Sequence, residues 1–133
     1  MEVDNNLKVI TFKGDVKAVE NGFTIDCQKM RVYFDRFPSQ KKAEDYETKI
    51  IKIISTGNVI INNIQGGKAR AAEAIFYQES EKMVLTGNPV VRQGDNFIEG
   101  DRITFFLKEN RSIVESKLDK KAKATIFPKR VKR

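Results

Sequence analysis

The side chains that most often perform enzymatic chemistry are scarce in this sequence. It contains no histidine, the commonest general base and metal ligand, and its single cysteine, Cys27, therefore has no histidine to activate it. A lone cysteine also forms no internal disulfide, so cysteine usage does not identify the redox compartment. We expect Cys27 to be a small strand residue with a structural role, and we expect the protein not to be an enzyme.

Acidic residues and one glycine pair are the remaining candidates for a reactive or metal site. Gly66-Gly67-Lys68 lacks the full phosphate-loop pattern and a following helix, so we interpret it as a turn. The carboxylates match neither an EF-hand loop nor a compact metal motif, and we expect them in solvent-facing strand and turn positions. We therefore predict no metal ion and no cofactor. The carboxylates in question are Glu73, Glu79, Glu81, Asp95, Glu99 and Asp101.

The charge of the chain favours an anionic partner. The formal net charge is +7, and eight of the seventeen residues from Lys117 to Arg133 are Lys or Arg. Nucleic acid, a membrane surface and an acidic lipid all fit that charge. The basic end is interpreted as a solvated tail, and a second hypothesis is that Lys117 to Lys123 meet lipid phosphates. The first ten residues lack the character of a signal peptide, so the protein is either cytosolic or separated from its signal.

Apolar residues alternate with polar ones in many short runs, which is the periodicity of β-strands and not of helices. Runs of this length, separated by Gly and Asn, predict an all-β sandwich, barrel or stacked-sheet fold. A length of 133 residues is typical of one domain, and no apolar run approaches the roughly 20 residues of a membrane span. The clearest runs are Val9 to Phe12, Phe23 to Cys27, Met30 to Phe34, Ile50 to Ile54, Val59 to Ile61, Met83 to Leu85 and Ile103 to Leu107.

A repeated tripeptide organises these runs. Gly followed by Asp or Asn recurs after strand-like runs as Gly14-Asp15-Val16, Gly57-Asn58-Val59 and Gly87-Asn88-Pro89, in a unit of about 29 residues. The polar stretch from Asp35 to Thr48 is interpreted as a loop inserted into one copy. Self-similarity of this kind predicts an elongated stack of β units and not a compact closed barrel.

These segments resemble the OstA-like lipopolysaccharide-transport family, in which similar strands and Gly-Asn-Val segments recur at this spacing. No single tripeptide is specific, but several segments occur in order over nearly the whole chain. The resemblance favours the soluble periplasmic bridge protein of the family over its membrane-anchored cap protein and the N-terminal domain of its outer-membrane barrel. The segments are Val9 to Val16, Val84 to Asn88, Ile98 to Phe105 and Ala124 to Pro128.

The resemblance implies a β-jellyroll of two stacked antiparallel sheets with a V-shaped section, open at both ends, over residues 1–128, followed by a basic tail at 129–133. It implies that lipopolysaccharide crosses the periplasm with its acyl chains inside, along copies paired end to end. The implied partners are lipopolysaccharide, further copies of the chain, the inner-membrane cap protein and the outer-membrane barrel, and no nucleic acid. In the family, one more strand usually precedes the position equivalent to Val9. In this sequence only eight residues precede Val9.

Acyl chains require a continuous apolar interior, because each methylene exposed to water costs about 0.8 kcal/mol. Strand alternation predicts the lining of such a groove, and the resemblance singles out Phe76 and Phe105 at a recurring aromatic position. The alternative interpretation is that the same side chains form a dry core. The predicted lipid-binding lining consists of Phe12, Val16, Met30, Val32, Phe34, Val59, Ile61, Ala74, Phe76, Leu85, Val91, Ile103, Phe105 and Leu107.

The first and last strands are expected to be edges that pair with other copies. Predicted at Leu7 to Phe12 and Ala122 to Phe127, they would present unpaired backbone groups, although Lys120, Lys121 and Lys123 could blunt the last edge. Two other functions remain open. One is a structural β-stack protein that polymerises without a lipid ligand. The other is a cytosolic nucleic-acid binder, which rests on charge alone because no recognised binding motif occurs.

Overall fold

The described part of the chain is all β apart from one short 3-10 helix. The structure is a computed structural model and describes residues 1–20, 22–38, 46–116 and 123–125. The strands and the helix are β1 (Glu2–Asp4), β2 (Val9–Glu20), β3 (Phe23–Pro38), β4 (Tyr46–Ile64), β5 (Gly67–Tyr77), β6 (Lys82–Thr86), β7 (Val90–Gln93), β8 (Asn96–Glu99), β9 (Arg102–Phe106), η1 (Leu107–Glu109), β10 (Arg111–Glu115) and β11 (Lys123–Thr125).

Consecutive long hairpins, β2 to β5, form the centre of the sheet. Their alternating sequence places apolar side chains on one face, as in β5, where Ala69 and Phe76 are buried while Lys68 and Arg70 are exposed. The antiparallel strand order is β1-β2-β3-β4-β5-β6-β9-β10, with a branch from β5 through β7 and β8 to β11. The all-β fold predicted from the alternation is confirmed.

Gly-Asp and Gly-Asn pairs form corners in this sheet. Both residues of Gly14-Asp15, Gly57-Asn58 and Gly87-Asn88 have positive φ, between 42° and 82°. Glycine, asparagine and aspartate adopt this conformation at the least cost. The first two pairs interrupt the pairing within β2 and β4, and the third separates β6 from β7. The repeated tripeptide thus marks points where the sheet bends, and in β2 and β4 it lies inside one strand, because a bulge bends a strand without ending it.

The corners divide the sheet into two layers. The division is clearest in β5, whose residues 68–70 pair with β7 and whose residues 73–77 pair with β6. The predicted two stacked antiparallel sheets are therefore present as one hydrogen-bonded sheet folded on itself. In the described residues β1 pairs with neither β10 nor β11, so the sheet is not closed. The first layer contains residues 16–20, 23–27, 59–64 and 67–71 with β7, β8 and β11, and the second contains β1, residues 9–13, 29–38, 46–56 and 73–77 with β6, β9 and β10.

Side chains from the two layers meet across the interior. The ring of Phe23 in the first layer contacts the ring of Phe76 in the second. Close by, Gln78 Nε2 donates a hydrogen bond to Glu20 Oε1 at 3.4 Å. The main apolar cluster lies between the layers, as expected where each layer buries one face.

Two of the predicted element boundaries are wrong. The segment from Asp35 to Thr48 is not a loop over its whole length, because β3 continues to Pro38 and β4 begins at Tyr46. The first edge strand is not Leu7 to Phe12. Residues 2–4 form β1 and pair with residues 9–11 of β2, so the short N-terminal segment supplies the edge strand itself.

The C-terminal expectations fall partly outside the described residues. Of the strand predicted at Ala122 to Phe127, residues 123–125 are described as β11, which pairs with β8. Lys120, Lys121 and the basic tail at 129–133 lie outside the described residues. The hypothesis that Lys117 to Lys123 meet lipid phosphates stays a prediction.

Candidate functional site

The sequence-predicted lining lies in the interior between the layers. Nine of its fourteen residues belong to the main apolar cluster, four pack against the cluster, and the fourteenth, Phe34, is buried outside it. Most are fully buried, whereas Phe12, Val16, Val32 and Leu107 are half-buried at its margin. Their contact with lipid stays a prediction, because a lipid groove and a dry core both require this placement.

Cross-strand register brings these residues together. Directly opposed residues on neighbouring antiparallel strands project to the same face, so each inward position is one member of a row that crosses the sheet. One inner row of the second layer contains Phe12, Met30, Ser55, Ala74, Leu85, Ile103 and Val114. An inner row of the first layer contains Ala18, Ile25, Ile61, Ala69, Val91 and Ile98.

Sequence reasoning missed two residues of a second inner row of the second layer, which contains Val32, Ile53, Phe76, Met83 and Phe105. Ile53 lies opposite both Val32 and Phe76, and Met83 lies opposite both Phe76 and Phe105. Both residues are buried in the same cluster. Each could have been found as the residue paired with two predicted lining positions, but only once the register of the strands was known.

An opening leads into the interior where the branch of the first layer faces the last strands of the second. A depression of about 320 Å³ lies there between β7–β8 and β9–β10, and we call it the mouth. Its floor is apolar and consists of Val91, Ile98, Ile103, Phe105 and Val114. Its rim is polar and consists of Gln65, Gln93, Asn110, Arg111 and Ser112.

Hydrogen bonds hold one end of the mouth. Gln93 Nε2 donates to the carbonyl of Gln65 at 3.0 Å, and Gln65 Nε2 reaches across the layers to the carbonyl of Arg111 at 3.5 Å. The second of these contacts is long and therefore weak. The arrangement is an apolar surface with a polar border, which suits an amphipathic ligand.

Cys27 and Ser55 are polar side chains that lie among the apolar residues of the interior. Ser55 Oγ is buried and has no hydrogen-bond partner among the described residues, while Cys27 Sγ donates to the carbonyl of Lys29 at 3.4 Å. Burial raises the pKa of the Cys27 thiol, and the nearby Ser55 hydroxyl offsets part of that rise. A thiol in this setting stays protonated at neutral pH and is a poor nucleophile, which agrees with a structural role for Cys27.

Metal-ligating clusters and membrane-spanning helices are absent from the described residues. Within the described ranges, His, Cys, Asp and Glu side chains form no group of three that could hold a metal ion. No helix in these ranges is long and apolar enough to cross a membrane. The candidate carboxylates are scattered, with Glu79 and Asp95 exposed and Glu73 within 3.4 Å of the Thr86 hydroxyl.

The sequence matches a known family over most of its length. The profile that describes LptA and the N-terminal domain of LptD, lipopolysaccharide transport proteins, matches residues 1–111. The chain belongs to this family of lipopolysaccharide transport proteins. Members of the LptA/LptD N-terminal domain family are transport proteins and not enzymes. A comparison with curated proteins gave no match.

The fold matches a solved structure of an LptA homologue. That structure is the crystal structure of LptH, the LptA-homologous periplasmic component of the conserved lipopolysaccharide transport device from Pseudomonas aeruginosa. The TM-score is 0.77, the sequence identity is 15%, and the match covers 96% of this chain and 90% of the LptH chain. At this identity the likeness shows the fold, which is the LptA-type jellyroll with an unclosed sheet.

Proposed function

We propose that this protein binds lipopolysaccharide, shelters the acyl chains between its two layers and carries the lipid through the periplasm. The observation that supports the proposal best is the mouth, whose apolar floor is bordered by polar side chains. Removing an acyl chain of about twelve methylenes from water is worth roughly 10 kcal/mol at about 0.8 kcal/mol each. Burial of the chain in the apolar interior would supply that free energy without any chemical step.

Entry beyond the mouth requires the layers to separate. The inner rows lead from Phe105 at the mouth to Met83 and Phe76, both essentially fully buried. Because no strand pairing joins the layers along the side of the mouth in the described residues, they can move apart there with the loss of the long Gln65–Arg111 contact but of no strand pairing. An acyl chain would then occupy the space between rows that are otherwise in contact.

End-to-end pairing of copies is the second part of the proposal. In the described ranges, β1 ends the second layer on one side, and β10 and β11 each have one strand neighbour on the other. Val3 in β1 and Val19 in β2 are exposed apolar side chains at the first of these edges. We propose that this edge adds to the β10–β11 edge of the next copy, so that the interiors join. An inner-membrane cap protein and an outer-membrane barrel would bind the two ends of such a stack.

Site-specific photo-cross-linking tests lipid binding. The photoreactive amino acid p-azidophenylalanine replaces Phe105 on the floor of the mouth or, as a matched control, Phe97. Phe97 is a half-buried phenylalanine on the outer face of the first layer, next to inward-facing Ile98, whereas Phe105 is buried. With purified lipopolysaccharide, we expect adducts from position 105 and not from position 97.

The outcome separates the lipid carrier from the structural polymer. Adducts at position 105 that a competing acylated lipid suppresses would support a chain in the mouth. A folded variant that gives no adduct at 105, while sedimentation still detects stacked copies, would favour a polymer with a filled core. Circular dichroism of each variant establishes that the sheet is intact.

A further inference from the structure

The outer face of the second layer carries a row of alternating aromatic and cationic side chains. The row joins directly opposed residues and so runs across six strands, β3, β4, β5, β6, β9 and β10. Each cation lies over a neighbouring ring, 4.0–5.0 Å from its centroid, within the range of cation–π attraction. We call it the outer row, and its members are Tyr33, Lys52, Tyr77, Lys82, Phe106 and Arg111.

An apolar strip lies beside the outer row. Ile75, Val84 and Ile113 belong to the next row on the same face, and with Tyr77 and Phe106 they line a depression of about 570 Å³. The face of an antiparallel sheet that meets only water is ordinarily polar. Cation–π pairing accounts for the contacts within the outer row, but not for the strip of apolar side chains beside it.

The outer row carries three cations. In the described part of the chain, Lys52 and Lys82 form no ion pair, whereas Arg111 has one carboxylate partner at 3.0 Å. Among the other carboxylates of this face, Glu73 and Glu115 stand on the far side of the apolar strip, and Asp35, two residues from Tyr33 on β3, is paired with Lys8. Along Lys52, Tyr77 and Lys82 the surface therefore presents cations and a ring, with no carboxylate paired to either cation in the described residues.

The outer row begins at the mouth. Arg111 is a rim residue of the mouth, and its guanidinium lies 4.0 Å from the centre of the Phe106 ring. It belongs to β10, an edge strand of the second layer. A molecule whose apolar end enters the mouth can therefore pass over β10 and continue along the outer face without leaving contact with the protein.

We propose that the outer row binds the anionic saccharide part of the glycolipid whose acyl chains occupy the mouth. Phosphate and carboxylate groups accept charge-assisted hydrogen bonds from Lys and Arg, and the apolar faces of sugar rings pack on aromatic rings. Rings recur on every second strand, about 9.6 Å apart at the usual strand spacing, which is close to the length of a disaccharide. A flat anionic bilayer would not require rings at this regular spacing, so the saccharide is the better fit. This inference rests on the proposed function, since it assigns the polar part of the same ligand.

Calorimetric titration of the full chain with deacylated, phosphorylated oligosaccharide from lipopolysaccharide tests the inference. We expect the Lys52→Gln/Lys82→Gln variant to bind this probe roughly tenfold more weakly than the wild type, the change produced by losing charge-assisted contacts. Phe106→Leu keeps an apolar side chain but removes the ring face, and it should weaken binding as well. The control Lys17→Gln/Arg70→Gln removes the same charge from exposed positions on the outer face of the first layer and should leave binding unchanged.

Four outcomes would overturn the inference. Equal weakening by the two charge variants would show a general charge effect. Binding of phosphatidylglycerol vesicles or single-stranded DNA, but not of the oligosaccharide, through the outer row would identify a different occupant. Concentration-dependent association lost only in the outer-row variants would identify a second copy of the chain. Cross-linking at position 105 with intact lipopolysaccharide is measured in parallel. Adducts at position 105 without oligosaccharide binding would reject this inference and leave the lipid-carrier proposal in place.

Discussion

Phe23 and Phe76 meet edge to face, with ring centroids 5.7 Å apart and an interplanar angle of 74°. Along the hydrogen-bonded sheet the two residues are distant. Phe76 pairs with Ile53 of β4, whereas Thr24, the neighbour of Phe23, pairs with Asn62 of the same strand. Asn62 lies nine residues beyond Ile53, which is about 30 Å along the strand at about 3.3 Å per residue. The contact therefore exists only because the sheet folds over at its corners, and it makes Phe76 a probe of the stacking of the two layers.

Truncation of Phe76 should destabilise the protein strongly. Phe76 is 1% exposed, so Phe76→Ala removes a fully buried ring and leaves a cavity, and we expect a loss of about 3–5 kcal/mol in the free energy of unfolding. Phe76→Leu fills part of the space and should lose less. Denaturant titration measures the free energy of unfolding of both variants. The control is Val19→Ala, at a 75% exposed position, and we expect its free energy of unfolding within about 0.5 kcal/mol of wild type. A loss below about 1 kcal/mol for Phe76→Ala would contradict a close contact between the layers.

Two corner glycines with the same backbone conformation should differ in their tolerance of alanine. Gly14 and Gly87 have φ of +80° and +79°, but a Cβ on Gly14 meets no atom within 4 Å, whereas one on Gly87 would lie 2.3 Å from Ala72 Cβ. We expect Gly14→Ala to cost about 1–2 kcal/mol from backbone strain alone. Gly87→Ala should cost at least about 1 kcal/mol more through overpacking.

A compensating change distinguishes overpacking from backbone strain. Ala72→Gly removes the atom that the new Cβ at position 87 would meet, so adding it to Gly87→Ala should recover part of the lost stability. The same change should rescue nothing in Gly14→Ala. Thermal or denaturant unfolding compares the two single glycine variants with the two double variants that also carry Ala72→Gly. Equal losses for the two glycine substitutions would mean that the corner at Gly87 is not packed against β5.

The buried thiol of Cys27 should make stability decline at alkaline pH. Burial raises its pKa in the folded state, so the folded protein keeps a proton that the unfolded chain has already released. The stability that the protonated thiol contributes is fully present below about 8.5, the thiol pKa in the unfolded chain. It is lost as pH rises from that value through the thiol pKa in the folded protein. We expect wild type to lose stability relative to Cys27→Ala between pH 8 and pH 10, measured by denaturant titration. A difference that does not change with pH would show that the thiol is not shielded from water.

The exposed ion pair of Lys8 and Asp35 should be visible in the titration of the carboxyl group. Lys8 Nζ lies 2.6 Å from Asp35 Oδ1, and this hydrogen bond is the main reason that the pKa of Asp35 is lowered. Lys8→Gln should return the pKa towards its ordinary value in a carbon-detected NMR titration, whereas Lys17→Gln should not. The stabilisation of the fold by the Lys8–Asp35 ion pair is present above the ordinary pKa of Asp35 and is lost as pH falls through its pKa in the folded protein. It is small and salt-sensitive because both groups are exposed. A lowered pKa that persists in Lys8→Gln would assign the effect to the Arg36 backbone N–H instead.

Much of the strand content and most of the inward positions could be predicted from the sequence. In Met30 to Phe34, every second residue is apolar, and Met30 and Phe34 are buried while Arg31 is exposed. Local alternation identifies the two faces of a strand because the side-chain period is two. It does not identify the opposing residues, and for that reason the mouth, Ile53 and the outer row were not foreseen. These depend on pairing between residues far apart in the chain.

The sequence by itself determined that this is a β protein with a repeated Gly-Asp or Gly-Asn signal and an apolar face on each strand. Its resemblance to the OstA-like family also indicated a transport function, since those segments occur in a recognisable order. Only the tertiary structure decided whether the signal at Gly57-Asn58 ends a strand or bends one. The physical reason is that positive φ at two successive residues is compatible with a tight turn and with a bulge, and the hydrogen-bonding partners on β3 and β5 select between them.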